Sequence, residues 1–329
     1  SHNEAKALYG QISYVVPALE DCLELTLGGR YTQDDRQARK RSKLFTNSPN
    51  NTQEDSASYS NFNPSFTADF SWTDKVNTYA KVVTGYKSGG FNVRSTEAGF
   101  SPAFDEEKMI SYEIGSKLSL FSNRLSINAA GFISEYTDLQ IQQITDYSAI
   151  FLTDVFNAGE VEINGFELDL VAVPLPGLTL SASYGYTDAD FVKFIDNSPD
   201  SPTFGQNVAS DATAPYAPEE TYTVGLDYLF PEMAVGDLRF NLDYAWRDER
   251  FGTARNDDME GFKLDDYGLL NARLSLSKIP LGFAEASIAV WGKNLDNEDY
   301  LVHSISLGVV RSGYWNEPQT YGLDISVDF

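Results

Sequence analysis

The last ten residues of the chain alternate strictly between apolar and polar side chains. The apolar positions are Tyr321, Leu323, Ile325, Val327 and Phe329, and small or polar residues separate them. Because successive side chains of a β-strand point to opposite faces, this pattern predicts a strand with one apolar and one polar face. A soluble sandwich and a membrane barrel both use such strands, so other features of the chain must separate the two.

The same alternation recurs along the whole sequence and predicts about 13 strands, each roughly 10 residues or longer, against five or six in most soluble proteins. One predicted strand shows the two faces clearly. Its apolar and then its polar positions are Leu238, Phe240, Leu242 and Tyr244, and Arg239, Asn241 and Asp243. The mean hydropathy of −0.31 is compatible with a membrane barrel, since only alternate strand residues of a barrel face lipid.

The connections between the predicted strands alternate between short turns and long polar segments. The long segments include Asp34–Ser58, Asp188–Pro218 and Asp248–Asp265. Bacterial outer-membrane barrels have this asymmetry, with short periplasmic turns and long extracellular loops. The sequence therefore predicts an all-β fold, an antiparallel transmembrane β-barrel with extracellular loops and a periplasmic carboxyl terminus.

Two local features complicate the pattern. Apolar residues change phase at Gly165, which predicts a β-bulge there. Phe132 falls on a polar face. The segment Leu139–Phe156 is ambiguous, and one interpretation is that it extends two strands beyond the membrane.

Composition excludes several functions. The net charge of −24 argues against a nucleic-acid partner, because phosphate binding requires a basic surface. Cys22 is the single cysteine, and the two histidines, His2 and His303, lie far apart in the sequence. We therefore expect no metal site, no cofactor and no enzymatic activity. Acidic loops could attract divalent cations, but no segment has the regular ligand spacing of an EF-hand.

Several segments, taken in order, resemble the TonB-dependent outer-membrane receptors, most closely their iron-complex branch. They are residues 79–92 (YAKVVTGYKSGGFN), 107–117 (EKMISYEIGSK), 157–167 (NAGEVEINGFE), 217–219 (APE), 293–300 (KNLDNEDY) and the terminal strand. The resemblance implies uptake of a scarce large solute, foremost a ferric siderophore, energised through TonB. It also implies a 22-stranded barrel around an amino-terminal plug, of which residues 1–329 would be the carboxyl-terminal portion.

The resemblance also implies partners. They are outer-membrane lipid and lipopolysaccharide, the TonB complex through a plug that this sequence does not contain, and the barrel assembly machinery. That machinery would read the terminal strand as an insertion signal. Because 13 strands leave the sheet open, the strand Leu8–Val16 is expected to pair with something outside this sequence, either earlier strands or another chain.

Two other functions fit the residues, a passive porin and a non-transporting surface β-protein. For a receptor, the expected ligand contacts are exposed aromatic and basic loop residues. These candidates are Arg94, Tyr147, Phe151, Phe204, Arg255, Tyr314 and Trp315.

Overall fold

The computed structural model describes residues 1–42, 51–93, 100, 102–146, 152–199, 201–254, 263–306 and 311–329. Within these residues the chain is built almost entirely of β-strands, with short 3-10 turns at Pro17–Leu19 and Ala209–Asp211. No helix in the described ranges has the length and apolar character needed to cross a membrane.

The strands are long and follow the chain in order. Their bounds are β1 (His2–Val15), β2 (Leu23–Ser42), β3 (Asn51–Thr73), β4 (Val76–Lys87), β5 (Glu107–Leu120), β6 (Leu125–Asp146), β7 (Leu152–Leu175), β8 (Leu178–Phe194), β9 (Glu220–Leu229), β10 (Asp237–Arg247), β11 (Arg250–Phe251), β12 (Lys263–Leu264), β13 (Tyr267–Pro280), β14 (Glu285–Lys293), β15 (Leu301–Ser306), β16 (Arg311–Trp315) and β17 (Thr320–Asp328).

Thirteen of these strands form a single antiparallel sheet in the order β1-β2-β3-β4-β5-β6-β7-β8-β9-β10-β13-β14-β17. The predicted number of strands is confirmed. Two small hairpins, β11-β12 and β15-β16, lie outside this sheet and were not predicted. In the described residues, β1 and β17 each have a strand partner on one side only.

The two ends of the sheet differ in their connections. At one end, called the turn end, short segments such as 74–75 and 176–177 join neighbouring strands. At the other end, called the loop end, the connections include 88–106, 195–219, 248–266 and 294–319. The predicted alternation of short and long connections holds for these four, while the loop-end connections 43–50 and 147–151 are shorter than predicted.

One face of the sheet is apolar and bare. Ile12, Ile114 and Ile325, on three different strands, are 68%, 67% and 68% exposed. Leu242 lies on this apolar face too, because it is opposite Leu226 on β9 and Ala272 on β13. Exposing so much aliphatic surface to water would be costly, and lipid is the solvent that removes this cost.

The other face, called the polar face, satisfies its own charges. Arg239 Nε pairs with Asp227 Oδ2 at 2.7 Å, and Asn241 donates to the same carboxylate. Farther along the sheet, Arg273 Nη1 pairs with Asp324 Oδ2 at 2.7 Å. The first pair joins the adjacent strands β9 and β10, and the second reaches across β14 from β13 to β17. Both pairs hold strands in register on a face that has no apolar core away from the loop end.

The predicted loop Asp34–Ser58 is wrong at both ends. β2 continues to Ser42, β3 begins at Asn51, and Asp34 is opposite Tyr59. A strand that leaves the membrane is wet on both faces, so it needs no apolar side chains and loses the alternation that identifies it. The same extension occurs in β6 and β7, so the described part of Leu139–Phe156 is strand, and residues 147–151 lie outside the described residues.

The predicted bulge at Gly165 is also wrong. Gly165 lies in a regular ladder between Phe132 and Thr187. Two register shifts fall nearer the loop end, beside Asp138, which has a φ of 54°, and beside Val192, and another lies at the turn end between Ala172 and Leu175. The apolar phase changes because Val161 and Ile163 point to the polar face, where they pack with a local core. Other members of that core are Ile141, Ala158, Phe191, Phe194 and Val208.

The position of Phe132 on the polar face has a steric explanation. Its ring lies across Gly165 on the neighbouring strand, and a Cβ at Gly165 would come within 2.2 Å of Phe132 Cζ. Trp291 covers Gly322 in the same way on the last two strands, with a distance of 2.0 Å. Glycine at these positions makes room for an aromatic ring to lie flat on the sheet.

The two faces predict opposite effects for the same substitution on adjacent residues. Leu242→Arg should lower the free energy of unfolding by about 2–4 kcal/mol in lipid, because it places a charge in hydrocarbon near mid-membrane. Asn241→Arg is the matched control, since its side chain projects to the wet polar face. Denaturant unfolding of the full protein in vesicles measures both, and equal costs would contradict the assignment of the faces.

Candidate ligand-binding site at the loop end

Three long connections at the loop end fold together into one structure, called here the loop layer. It consists of segments 195–219, 248–254 with 263–266, and 294–306 with 311–319. Main-chain bonds join the first two, with Tyr216 N donating to Phe251 O at 2.7 Å and Thr213 N to Ala254 O at 3.1 Å. The described parts of these connections are therefore held together by main-chain hydrogen bonds.

Asparagine side chains fold the last connection onto itself. Asn294 and Asn316 both donate from Nδ2 to the carbonyl of Glu298, at 2.8 and 2.9 Å. Asn316 Oδ1 also accepts from Tyr300 N at 3.0 Å. These bonds satisfy main-chain groups that have no strand partner and thereby fix the position of Tyr300.

Tyr300 stacks on Tyr267, the first residue of β13, with ring centroids 3.6 Å apart and an interplanar angle of 5°. The guanidinium of Arg250 lies 5.4 Å from the centroid of the Tyr267 ring. The pKa of Tyr300 is raised, first by burial and then by its tyrosine neighbour Tyr267. The stack fastens the last loop to the main sheet.

A second aromatic group lies beside the first. The Tyr216 hydroxyl hydrogen-bonds His303 Nδ1, and their rings stack with centroids 5.4 Å apart. The Tyr314 ring lies next to this pair, with its centroid 6.2 Å from that of the His303 ring. Burial raises the pKa of Tyr216, and the positive charge of Arg250 opposes that shift. Arg250 is thus electrostatically coupled to tyrosines from two different connections.

Arg250 itself is 5% exposed, and Leu264, which pairs with it across β11 and β12, is completely buried. Its Nη2 reaches only the Val302 carbonyl, at 3.5 Å, and its Nη1 is buried with no hydrogen-bond partner. No carboxylate of the described residues forms an ion pair with Arg250, and a buried cation in that state is costly and typical of functional sites.

The loop after β8 is held by a different buried charge. Asp196 is 1% exposed and accepts from Ser198 N at 3.0 Å and from Thr203 Oγ1 at 2.7 Å. Gln143 on β6 binds the same loop, accepting from Asn197 N at 2.6 Å. These contacts present Phe204 at the surface, where it is 56% exposed.

The ligand residues predicted from sequence have mixed outcomes. Phe204, Tyr314 and Trp315 all lie exposed at the loop end, the last two at 60% and 65%. No observation tests whether they bind a ligand, so that role stays a prediction. The remaining candidates lie outside the described residues; they are Arg94, Tyr147, Phe151 and Arg255.

Sequence reasoning missed the residues at the centre of the loop layer. Arg250 lies in a segment rich in charge, where a buried arginine looks like a solvated one. Tyr300 was visible only as the end of the 293–300 motif. His303 looks isolated in the sequence, because its partner Tyr216 is 87 positions away in the chain.

The long antiparallel sheet with one bare apolar face, one hydrogen-bonded polar face and a layer of structured loops at one end is the architecture of an outer-membrane β-barrel. The family model described as TonB dependent receptor-like, beta-barrel matches residues 1–295. The chain belongs to this family, and the predicted family and fold class are confirmed.

Part of the chain is similar to curated relatives, and solved structures share its fold. A probable TonB-dependent siderophore receptor of Acinetobacter baumannii is 28% identical over 133 residues, which cover 40% of this chain and 17% of that protein. The structure of the ferric yersiniabactin uptake receptor of Yersinia pestis matches 99% of this chain and 46% of its own, with a TM-score of 0.79 and 20% identity. The ferric-catecholate import receptor of E. coli K12 matches 99% of this chain and 44% of its own, with a TM-score of 0.71 and 16% identity. The chain thus spans less than half the length of these proteins.

The stack of Tyr300 on Tyr267 predicts a local change in stability. Tyr300→Ala should lower the free energy of opening of the last loop by about 1 kcal/mol, because it removes an aromatic pair. Hydrogen–deuterium exchange of residues 295–306 should then accelerate about fivefold. Trp315→Ala removes an exposed ring from the same connection and serves as the control. Equal exchange in the two variants would show that the stack does not hold the loop.

Proposed function

We propose that this chain forms part of an outer-membrane receptor that takes up a scarce large solute, foremost a ferric siderophore. Its membership of the TonB-dependent receptor family carries the proposal. The loop layer supports it, since the described loops are ordered by buried groups such as Asp196 and Arg250 and present aromatic rings to solvent. Phe204, Tyr314 and Trp315 are ligand contacts in this proposal.

The proposal includes strands from outside this sequence. β1 and β17 each have one edge without a strand partner in the described residues, and unpaired main-chain groups in hydrocarbon cost several kcal/mol each. We infer that these 13 strands are the carboxyl-terminal portion of a larger, 22-stranded barrel. An amino-terminal plug would couple transport to the TonB complex, and the exposed residues 321–329 would be read by the barrel assembly machinery.

Uptake can be measured in the native host under iron limitation. Deleting the gene should abolish accumulation of ⁵⁵Fe from at least one chelate in a panel with carboxylate, catecholate and hydroxamate members. Complementation should restore it, and a protonophore should block it, because a TonB-coupled receptor depends on the proton-motive force. Uptake that persists with the protonophore would indicate a passive porin, and unchanged uptake of every chelate would contradict the proposal.

We further propose that the loop end is extracellular and that the turn end and carboxyl terminus are periplasmic. Cys22 lies at the turn end, so labelling requires a Cys22→Ser background. In that background Ser210→Cys should react with an impermeant maleimide on intact cells. Ser122→Cys, an equally exposed serine in a turn-end connection, should react only after the outer membrane is permeabilised. The reverse pattern would invert the topology.

A further inference from the structure

The loop layer contains a positive charge that the chain does not neutralise with a described carboxylate. Four other arginines of the described residues lie within 4.0 Å of an acidic oxygen; they are Arg36, Arg39, Arg239 and Arg273. Arg250 is buried more deeply than any of these four, yet its Nη1 has no hydrogen-bond partner. The chain has a net charge of −24, so acidic side chains are plentiful. A buried arginine that pairs with no described carboxylate therefore stands out.

The surroundings of Arg250 leave hydrogen-bond capacity for a ligand. The Tyr267 ring covers one side of the guanidinium, and the Val302 carbonyl takes one Nη2 bond at the long distance of 3.5 Å. Two residues along β15 from Val302, the Ser304 hydroxyl is also buried with no partner. The N–H groups of Arg250 Nη1 can therefore donate to a further acceptor, and a buried guanidinium binds a charged acceptor more strongly than a neutral one.

We propose that Arg250 is the anchor of a subsite for a carboxylate-bearing ligand. A guanidinium presents parallel N–H groups that match the two oxygens of a carboxylate, and the face of an aromatic ring favours the stacked orientation of both planar groups. Tyr267 and Tyr300 form the wall of this subsite. The identity of that ligand as the iron chelate rests on the proposed function.

The subsite is enclosed in the present arrangement, and this has a consequence for binding. Because Arg250 Nη1 is buried, a ligand can reach it only after the loop layer rearranges, and the contact with the Val302 carbonyl is the one that the ligand would replace. Binding is therefore linked to opening of the loop layer, and the order provided by Tyr300 and Asn316 opposes it. A ligand that replaces the weak Val302 contact with a charged one would stabilise the open or rearranged layer.

The test measures binding to the full protein in lipid nanodiscs, with ferric citrate as the carboxylate probe and ferrioxamine B as a chelate without a free carboxylate. Arg250→Met should weaken ferric citrate binding about 10- to 100-fold, the effect of removing one charged hydrogen bond. Arg250→Lys should lose less, since it keeps the charge without the planar fork. Arg39→Met removes one positive charge from an exposed position and should leave the dissociation constant unchanged.

A second readout separates binding from folding and from iron transport. Iron-free citrate should raise the melting temperature of the wild-type protein and of Arg39→Met, and should leave that of Arg250→Met unchanged. If Arg250→Met misfolds, its loss of ferric citrate binding proves nothing. The binding of ferric citrate by Arg250→Lys, and the rise in the melting temperature of the wild-type protein with citrate, then test the subsite.

The outcomes for the two proposals differ. Citrate binding through Arg250 without uptake of any iron chelate would refute the proposed function and keep the subsite. Wild-type protein that binds neither form of citrate, or an Arg250→Met variant that binds as well as wild type, would overturn the subsite, even if ferrioxamine B is transported.

Discussion

The main-chain hydrogen bond is the constraint on which the rest of this structure depends. In hydrocarbon no water can satisfy an N–H or C=O group, so a strand that enters the membrane must pair along its whole length. This requirement produces long strands, antiparallel neighbours and tight connections at the turn end. It is also the physical reason that the open edges of β1 and β17 in the described residues support the proposal of a larger barrel.

A sheet between lipid and water also divides its side chains. The apolar face carries bare aliphatic and aromatic groups such as Ile114 and Ile325, which no protein core covers. The polar face has no apolar core through most of its height, so it is organised by ion pairs such as Arg273 with Asp324 and by rings lying over glycine, as Phe132 lies over Gly165. The apolar face is stable only against lipid and the polar face only against water, so the two faces together orient the sheet in the membrane.

The rules change where strands leave the membrane at the loop end. There both faces are wet, the alternation disappears, and the strands around Asp34 and Tyr59 continue without any apolar face. Inward-pointing apolar residues such as Val161 then build a small core with the loop after β8. The proposed ligand contacts lie in this region, where loops supported by a rigid sheet can vary without disturbing it.

The sequence by itself determined the period, the number of strands and the family, because alternation and turn chemistry are local and repeat along the chain. The bulge predicted at Gly165 was wrong. Apolar residues that turn from the lipid to a local core, as Val161 does, change the phase of the alternation in the same way as an inserted residue. Only the tertiary structure brought Arg250, Tyr267 and Tyr300 together, since their contacts join separate loops and burial of a charge has no local signature. The fold could be predicted from periodicity, and the centre of the candidate site could not, because it depends on long-range packing.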